Sequence, residues 1–496
     1  MALTPTRLSI LHVAFLCLSG FLLGYDLCVI GSILTPVQRT LELCFPCEGD
    51  GSDSALAHCT CPAKQLAVSA VSLGAIAGGL LGGWTADRCG RRAALALTDV
   101  LFIIGAVGMA SAQPGWEVML FFCGRALAGA ALGAAGAISS AYIAELAPPR
   151  VRGRLLIANE VAVCVGCLVA YVAAVLFGDE HWRWTLGIAA LPALLQLLGL
   201  ASLLLESPRW LTERGQSERA SAVAAKLGLD AAPLLNFLPN TEAKVSMRDK
   251  LRAHGRPLIL AAGCALAHAA SAANVVLYYS RDILQAANLS NPLLANVGVG
   301  VAKLLGVLLC VAVVDHVGRR KLLLLGSAGM LVSYAGLVAA FTIGTADGRG
   351  GADLALGCLL LFILAWDISW AGLMLTVAAE LLPQPVRGLG IGIAYSLYWI
   401  LSFAESQTLE TLFDQLGHSA TFALYGATTT FSLYFSWRFV PETKGASLEG
   451  IAAAATSQKE ADDASAMAED GGLGCAQAAS NSRAESESEV SPESGA

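Results

Sequence analysis

The 496-residue chain is 56% hydrophobic and only 14% charged, with a formal charge of −7 and a mean hydropathy of +0.63. A soluble domain is about a quarter charged, so the deficit argues against a soluble fold and for a polytopic membrane protein. No basic run interleaved with aromatics marks a nucleic-acid surface, and no phosphate-binding loop or nucleophile and base constellation marks an enzyme, a cofactor or a resident metal.

The first apolar segment, about Leu8 to Leu34, is too long for a secretory signal and lacks a small-residue cleavage pattern, so it reads as a retained span. A loop carrying Cys44, Cys47, Cys59 and Cys61 follows. In an oxidising compartment these cysteines are disulfide candidates with three full connectivities, a metal cluster being the alternative. Apolar segments then lie near 65–86, 93–112, 116–146, 153–177 and 184–205. A polar stretch separates them from six more, near 257–285, 293–314, 321–343, 353–382, 388–413 and 418–439. The expected fold is therefore an all-α membrane protein of twelve transmembrane helices in two six-helix halves.

Residues 1–206 form the expected N-terminal half and 257–440 the C-terminal half. Residues 207–256 read as a linker with short helices, and 441–496, rich in Ala, Ser, Glu and Asp, as a largely disordered tail. Lys and Arg concentrate on one side of the spans, which places both termini in the cytoplasm and the cysteine loop outside. The sequon at Asn288 also falls outside, making it a glycosylation candidate. The plasma membrane is the expected location, an endomembrane the alternative.

The two halves repeat each other. Asp87-Arg88-Cys89-Gly90-Arg91-Arg92 returns as Asp315-His316-Val317-Gly318-Arg319-Arg320, 228 residues later. Glu145 followed by Arg152 returns as Glu380 followed by Arg387, and Glu206 before Ser207-Pro208 has its counterpart in Glu442. Duplicated halves with charged turns suggest a carrier whose solute sits between them near the bilayer midplane. The basic turns and these glutamates then form a cytoplasmic gate that engages when the ends of the halves approach.

These motifs, with Glu206-Ser207-Pro208-Arg209 and Pro441-Glu442-Thr443-Lys444-Gly445, resemble the sugar porter family of the major facilitator superfamily, which includes the facilitative glucose transporters of solute carrier family 2. The resemblance covers about residues 10–450. It implies a carrier and no chemistry on the solute.

Ionisable groups inside spans are expensive, so each is a functional candidate. Asp26 and Arg125 stand where the resemblance places the acid and arginine of proton-coupled members, and a static packing pair is the alternative. Glu160 and Lys303 replace a sugar-binding Gln and an Asn of many members, as in the class III glucose transporters, and facing one cavity they would neutralise each other. His268-Ala269 replaces a Gln pair, whereas Asn274, Tyr278, Tyr279 and Trp399 are kept, and Tyr398 and Ser402 stand in for Asn. The expected solute contacts are Glu160, His268, Asn274, Lys303, Tyr398 and Trp399. In the tenth span no proline precedes Pro383 and Leu375 holds a Trp position, so the break that proline supplies is expected to be missing; Trp366 and Trp370 offer an aromatic wall or a packing stripe.

The expected function is transport of a hexose or related sugar by alternating access, facilitative or proton-coupled, with the small solute, protons and the lipid bilayer as partners. The alternatives are a carrier of a non-sugar solute, such as oxidised vitamin C or an organic anion, and a transport-incompetent sensor.

Overall fold

The computed structural model describes residues 5–43, 62–115, 117–146, 152–228, 252, 254–347, 350–383, 386–442 and 444. The four loop cysteines and nearly all of the tail lie outside these residues. Among the described residues every regular element is helical. Lipid offers no hydrogen-bond partner to a peptide group, and a helix satisfies its own.

The first half of the chain comprises α1 (Pro5–Thr40), α2 (Pro62–Cys89), α3 (Arg91–Ser111), α4 (Val118–Leu146) and α5 (Arg152–Phe177). A 3₁₀ turn (Asp179–His181), α6 (Trp182–Gly187) and α7 (Ala190–Ser202) then make one interrupted span. Two short helices follow, α8 (Pro208–Glu213) and α9 (Ser217–Leu227). Ser207 caps α8 by accepting from the Trp210 N–H at 3.3 Å, with Pro208 at the first helical position, where its missing N–H costs nothing.

The second half begins with α10 (Gly255–Ala269), α11 (Ala273–Tyr278) and α12 (Ser280–Ala286), a span broken at Ala272, whose φ is 53°. It continues with α13 (Pro292–Val317), α14 (Arg319–Asp347) and α15 (Gly350–Trp366). A π-helical turn (Asp367–Ala371) leads into α16 (Gly372–Leu381), and α17 (Arg387–Arg438) closes the bundle. Among the described residues ten spans are long and apolar enough to cross a bilayer. The 52-residue α17, broken at Gly417, is long enough to cross twice, since about 30 Å of hydrocarbon needs about 20 helical residues.

Glycine allows close helix contacts. A Cβ on Gly78 would lie 2.0 Å from the Ala130 carbonyl oxygen, and one on Gly129 would lie 2.0 Å from that of Val71. The backbones of α2 and α4 therefore touch, as small-residue spacing in lipid predicts.

The repeat seen in sequence is a repeat of geometry. Gly90 and Gly318 have φ of 96° and 99°, and each ends one helix and starts the next. Glu206 accepts from the backbone N–H groups of Arg91 at 3.0 Å and Arg92 at 3.2 Å, as Glu442 does from that of Arg319 at 3.0 Å. Two carboxylates thus satisfy the orphan donors at the starts of α3 and α14 and complement the helix dipoles.

Candidate functional site at the interface of the halves

The basic turns sit at one end of the bundle. Arg91 pairs with Glu145 and Asp87, both at 3.2 Å, and Arg319 with Glu380 and Asp315, both at 3.5 Å. Arg92 donates to the Ala201 carbonyl at 2.8 Å and Arg320 to that of Trp437, while Arg88 lies over the Trp84 ring. Among the described residues every ion pair at this end stays within one half. Glu206 and Glu442 engage backbone N–H groups rather than arginine side chains, a correction to the expected pairing. Asp87 lies in the last turn of α2, next to its partner Arg91 at the start of α3. Arg152 and Arg387 begin α5 and α17, but their side chains lie outside the described set.

The opposite end is tied across the halves. Lys64 on α2 lies 2.7 Å from Asp282 and 2.6 Å from Glu410. Arg281 donates to both oxygens of Asp179, at 2.8 and 2.7 Å, and to the Ser32 carbonyl at 2.6 Å. Ser69 donates to Gln407 at 2.6 Å, and Gln65 to Thr411 at 3.1 Å. Sequence reasoning passes over this latch, because its residues lie near span ends where a charge excites no suspicion. Asn288, also in this region of the chain, is exposed and has φ of 61°.

Between the ends, Arg125 donates to both oxygens of Asp26 at 3.0 Å and to the Ala67 carbonyl at 3.1 Å. Arg125 is 0% and Asp26 2% exposed, so the pair is dry. It joins α1, α2 and α4 inside the first half. Neutralising Asp26 would leave a buried guanidinium short of an acceptor, which is a strong drive for rearrangement.

On the facing side, Lys303 pairs with Asp367 at 2.8 Å rather than with Glu160. Glu160 is half-buried on α5 and makes no ion pair among the described residues. The expected Glu160–Lys303 pair is thus replaced by one inside the second half. The rule that singles out Lys303 applies equally to Asp367, an acid in an apolar span, and sequence reasoning stops at the missing prolines there. The π turn at Asp367–Ala371 supplies the irregularity that proline would have given, so the expected loss of a break does not occur. Gly306 makes room for it: a Cβ there would sit 2.7 Å from that of Asp367.

His268 is buried, edge-on to Trp366 and Tyr398 at 5.5 and 5.1 Å between ring centres, and its Nδ1 has no hydrogen-bond partner. Lys303 lies 4.4 Å from the centre of the Trp366 ring. Tyr398 donates to Asn274 at 3.3 Å, and Asn274 donates to Ser402 at 3.2 Å. Ser402 meets Ser72 of the first half at 3.4 Å. Trp399 is buried with its Nε1 unpartnered. Trp370 turns away, donating to Ser327 at 3.0 Å, and so belongs to packing rather than to an aromatic wall. Cys164 and Cys167 are buried thiols, the latter donating to the Gly24 carbonyl at 3.1 Å.

Two repeated helical halves, latched at one end and carrying a dry ion pair and a polar seam at mid-depth, define a membrane carrier of the major facilitator type. Residues 12–455 match the family described as Sugar (and other) transporter, and the chain belongs to it. It is 31% identical over 443 residues to the glucose transporter GlcP of Staphylococcus epidermidis, covering 88% of this chain and 94% of that protein. It is 29% identical over 476 residues to the D-xylose-proton symporter of Escherichia coli, covering 88% and 93%. The inward-open structure of the xylose transporter XylE from E. coli superposes with a TM-score of 0.73 at 27% identity, over 90% of this chain and 99% of that one. XylE bound to 6-bromo-6-deoxy-D-glucose superposes with a TM-score of 0.74 at 28% identity, over the same shares.

Proposed function

We propose that the protein carries a hexose or closely related sugar across its membrane by alternating access, coupled to protons through Asp26 and Arg125. The observation that carries this reading is the one-sided closure. Ion pairs join the halves at the Lys64 end, whereas at the basic end those among the described residues remain within each half. With basic loops on the cytoplasmic side, this is the state that opens inward.

The seam of Asn274, Tyr398, Ser402 and Ser72 offers uncharged donors and acceptors suited to sugar hydroxyls. Relatives named for glucose and xylose transport support the substrate class. Glu160, His268, Lys303 and Trp399 complete the proposed solute site, and Glu160 with Lys303 favours the class III branch of the facilitative glucose transporters. Arg88, Arg91, Arg92, Arg152, Arg319, Arg320 and Arg387, with Asp87, Glu145, Glu206, Glu380 and Glu442, form the proposed cytoplasmic gate. The plasma membrane is the proposed location, and Asn288 the proposed glycan acceptor.

One observation favours a second reading. An ion pair and a histidine stand where amides would contact a sugar, which suits a non-sugar solute. Uptake into proteoliposomes across a panel of hexoses, pentoses, polyols and organic anions separates the two. Saturable sugar flux absent from empty vesicles supports the first, and anion flux alone supports the second. Ligand binding without flux of any solute would overturn both.

A further inference from the structure

The central charges do not balance. Lys303 offers one positive charge to two carboxylates, Asp367 at 2.8 Å and Glu160 on the facing helix. Asp367 is 0% exposed and no protein group among the described residues donates to its Oδ2. Glu160 is only half-buried and has no ion pair among the described residues. The other titratable groups facing the cluster are Cys164 and Cys167 on α5, His268 on α10, Cys310 on α13 and Tyr395 on α17. None of them is a permanent cation that would offset the second carboxylate.

We propose that Glu160, Lys303 and Asp367 form a second proton-binding site, separate from Asp26 and Arg125, which takes up one proton when the solute cavity closes and dries. Closure strips water from Glu160. If Lys303 stays on Asp367, Glu160 gains an O–H bond to a proton delivered from water on the open side. If Lys303 crosses to Glu160, the proton goes to Asp367 instead. In both cases the cluster becomes neutral, and reopening returns the proton to water on the other side. The cost of an unpaired charge in low dielectric sets the direction.

The site's role in transport rests on the carrier reading, but its existence is tested without any solute. The full-length protein in lipid nanodiscs is titrated from alkaline to acid while the carboxylic-acid C=O infrared band is recorded. Glu160→Gln should remove one component of that band. Asp367→Asn should remove the same component, because the remaining carboxylate then has Lys303 to itself, and the double substitution should remove nothing more. Lys303→Met should add a component, as both acids then protonate. Asp26→Asn should leave this component in place. Glu160→Gln is the least disruptive change, as it breaks no ion pair, and unaltered helical circular dichroism establishes that it folds. A spectrum unchanged by Glu160→Gln in folded protein, or separate components lost additively in the two single variants, would overturn the proposal. The uptake panel decides the carrier reading independently.

Discussion

Lys64 holds Glu410 at 2.6 Å and, with the same ammonium, Asp282 at 2.7 Å. One side chain of α2 therefore fastens two elements of the second half, α12 and α17. Lys64→Ala leaves two carboxylates facing each other without a counter-ion. These groups are about a fifth exposed or less, so we expect a shift of about 1–2 kcal/mol toward the state open at this end, roughly 5- to 30-fold in population. Labelling of a cysteine introduced at Ser402 by an impermeant thiol reagent, added from the Lys64 side, should rise accordingly. Unchanged labelling would remove the latch from the account.

The dry pair at mid-depth makes a different prediction. Asp26→Asn keeps the shape of the side chain but removes the charge that holds Arg125. Accumulation driven by a pH gradient should be abolished, while exchange of labelled for unlabelled solute continues. Loss of both in folded protein would instead assign Asp26 to packing.

The repeated glycines predict stability effects. Gly90 and Gly318 have positive φ, and a Cβ on either would lie 2.5 Å from a carboxylate oxygen of Glu206 or Glu442. Gly90→Ala and Gly318→Ala should each cost about 1–3 kcal/mol and lower Tm. Gly83→Ala is the control, as nothing lies within 4 Å of its Cβ position, and a helical Ala there should stabilise by up to about 1 kcal/mol.

Two of the buried tryptophans, Trp370 and Trp399, separate packing from recognition. Trp370→Phe loses a hydrogen bond to Ser327 and should lower stability by about 1 kcal/mol with KM unchanged. Trp399→Phe should raise KM with little change in Tm, since its Nε1 has no protein partner in this state. Melting curves and uptake kinetics on the same two variants check both statements.

The helices, the repeat and the charges inside spans were legible because lipid imposes long apolar segments and makes each buried charge conspicuous. Asp26, Arg125 and Lys303 stand out by that rule alone. The partner of Lys303 did not, because Asp367 and Glu160 are equally plausible acids until the fold brings one of them within 2.8 Å. Glu206 and Glu442 were visible as paired acids, yet their targets are backbone N–H groups, which carry no sequence signature. The Lys64 latch joins residues 346 positions apart in chain order, Lys64 and Glu410, and such a pairing depends on how the halves pack.

The most direct test of proton-coupled carriage is accumulation of D-xylose and D-glucose in proteoliposomes under an imposed pH gradient without other driving force. The account predicts saturable uptake above the equilibrium level for at least one of these sugars, collapse to equilibrium when a protonophore is added, and no accumulation in Asp26→Asn. Sugar uptake that only ever equilibrates, at the same rate whatever the pH gradient, would contradict it.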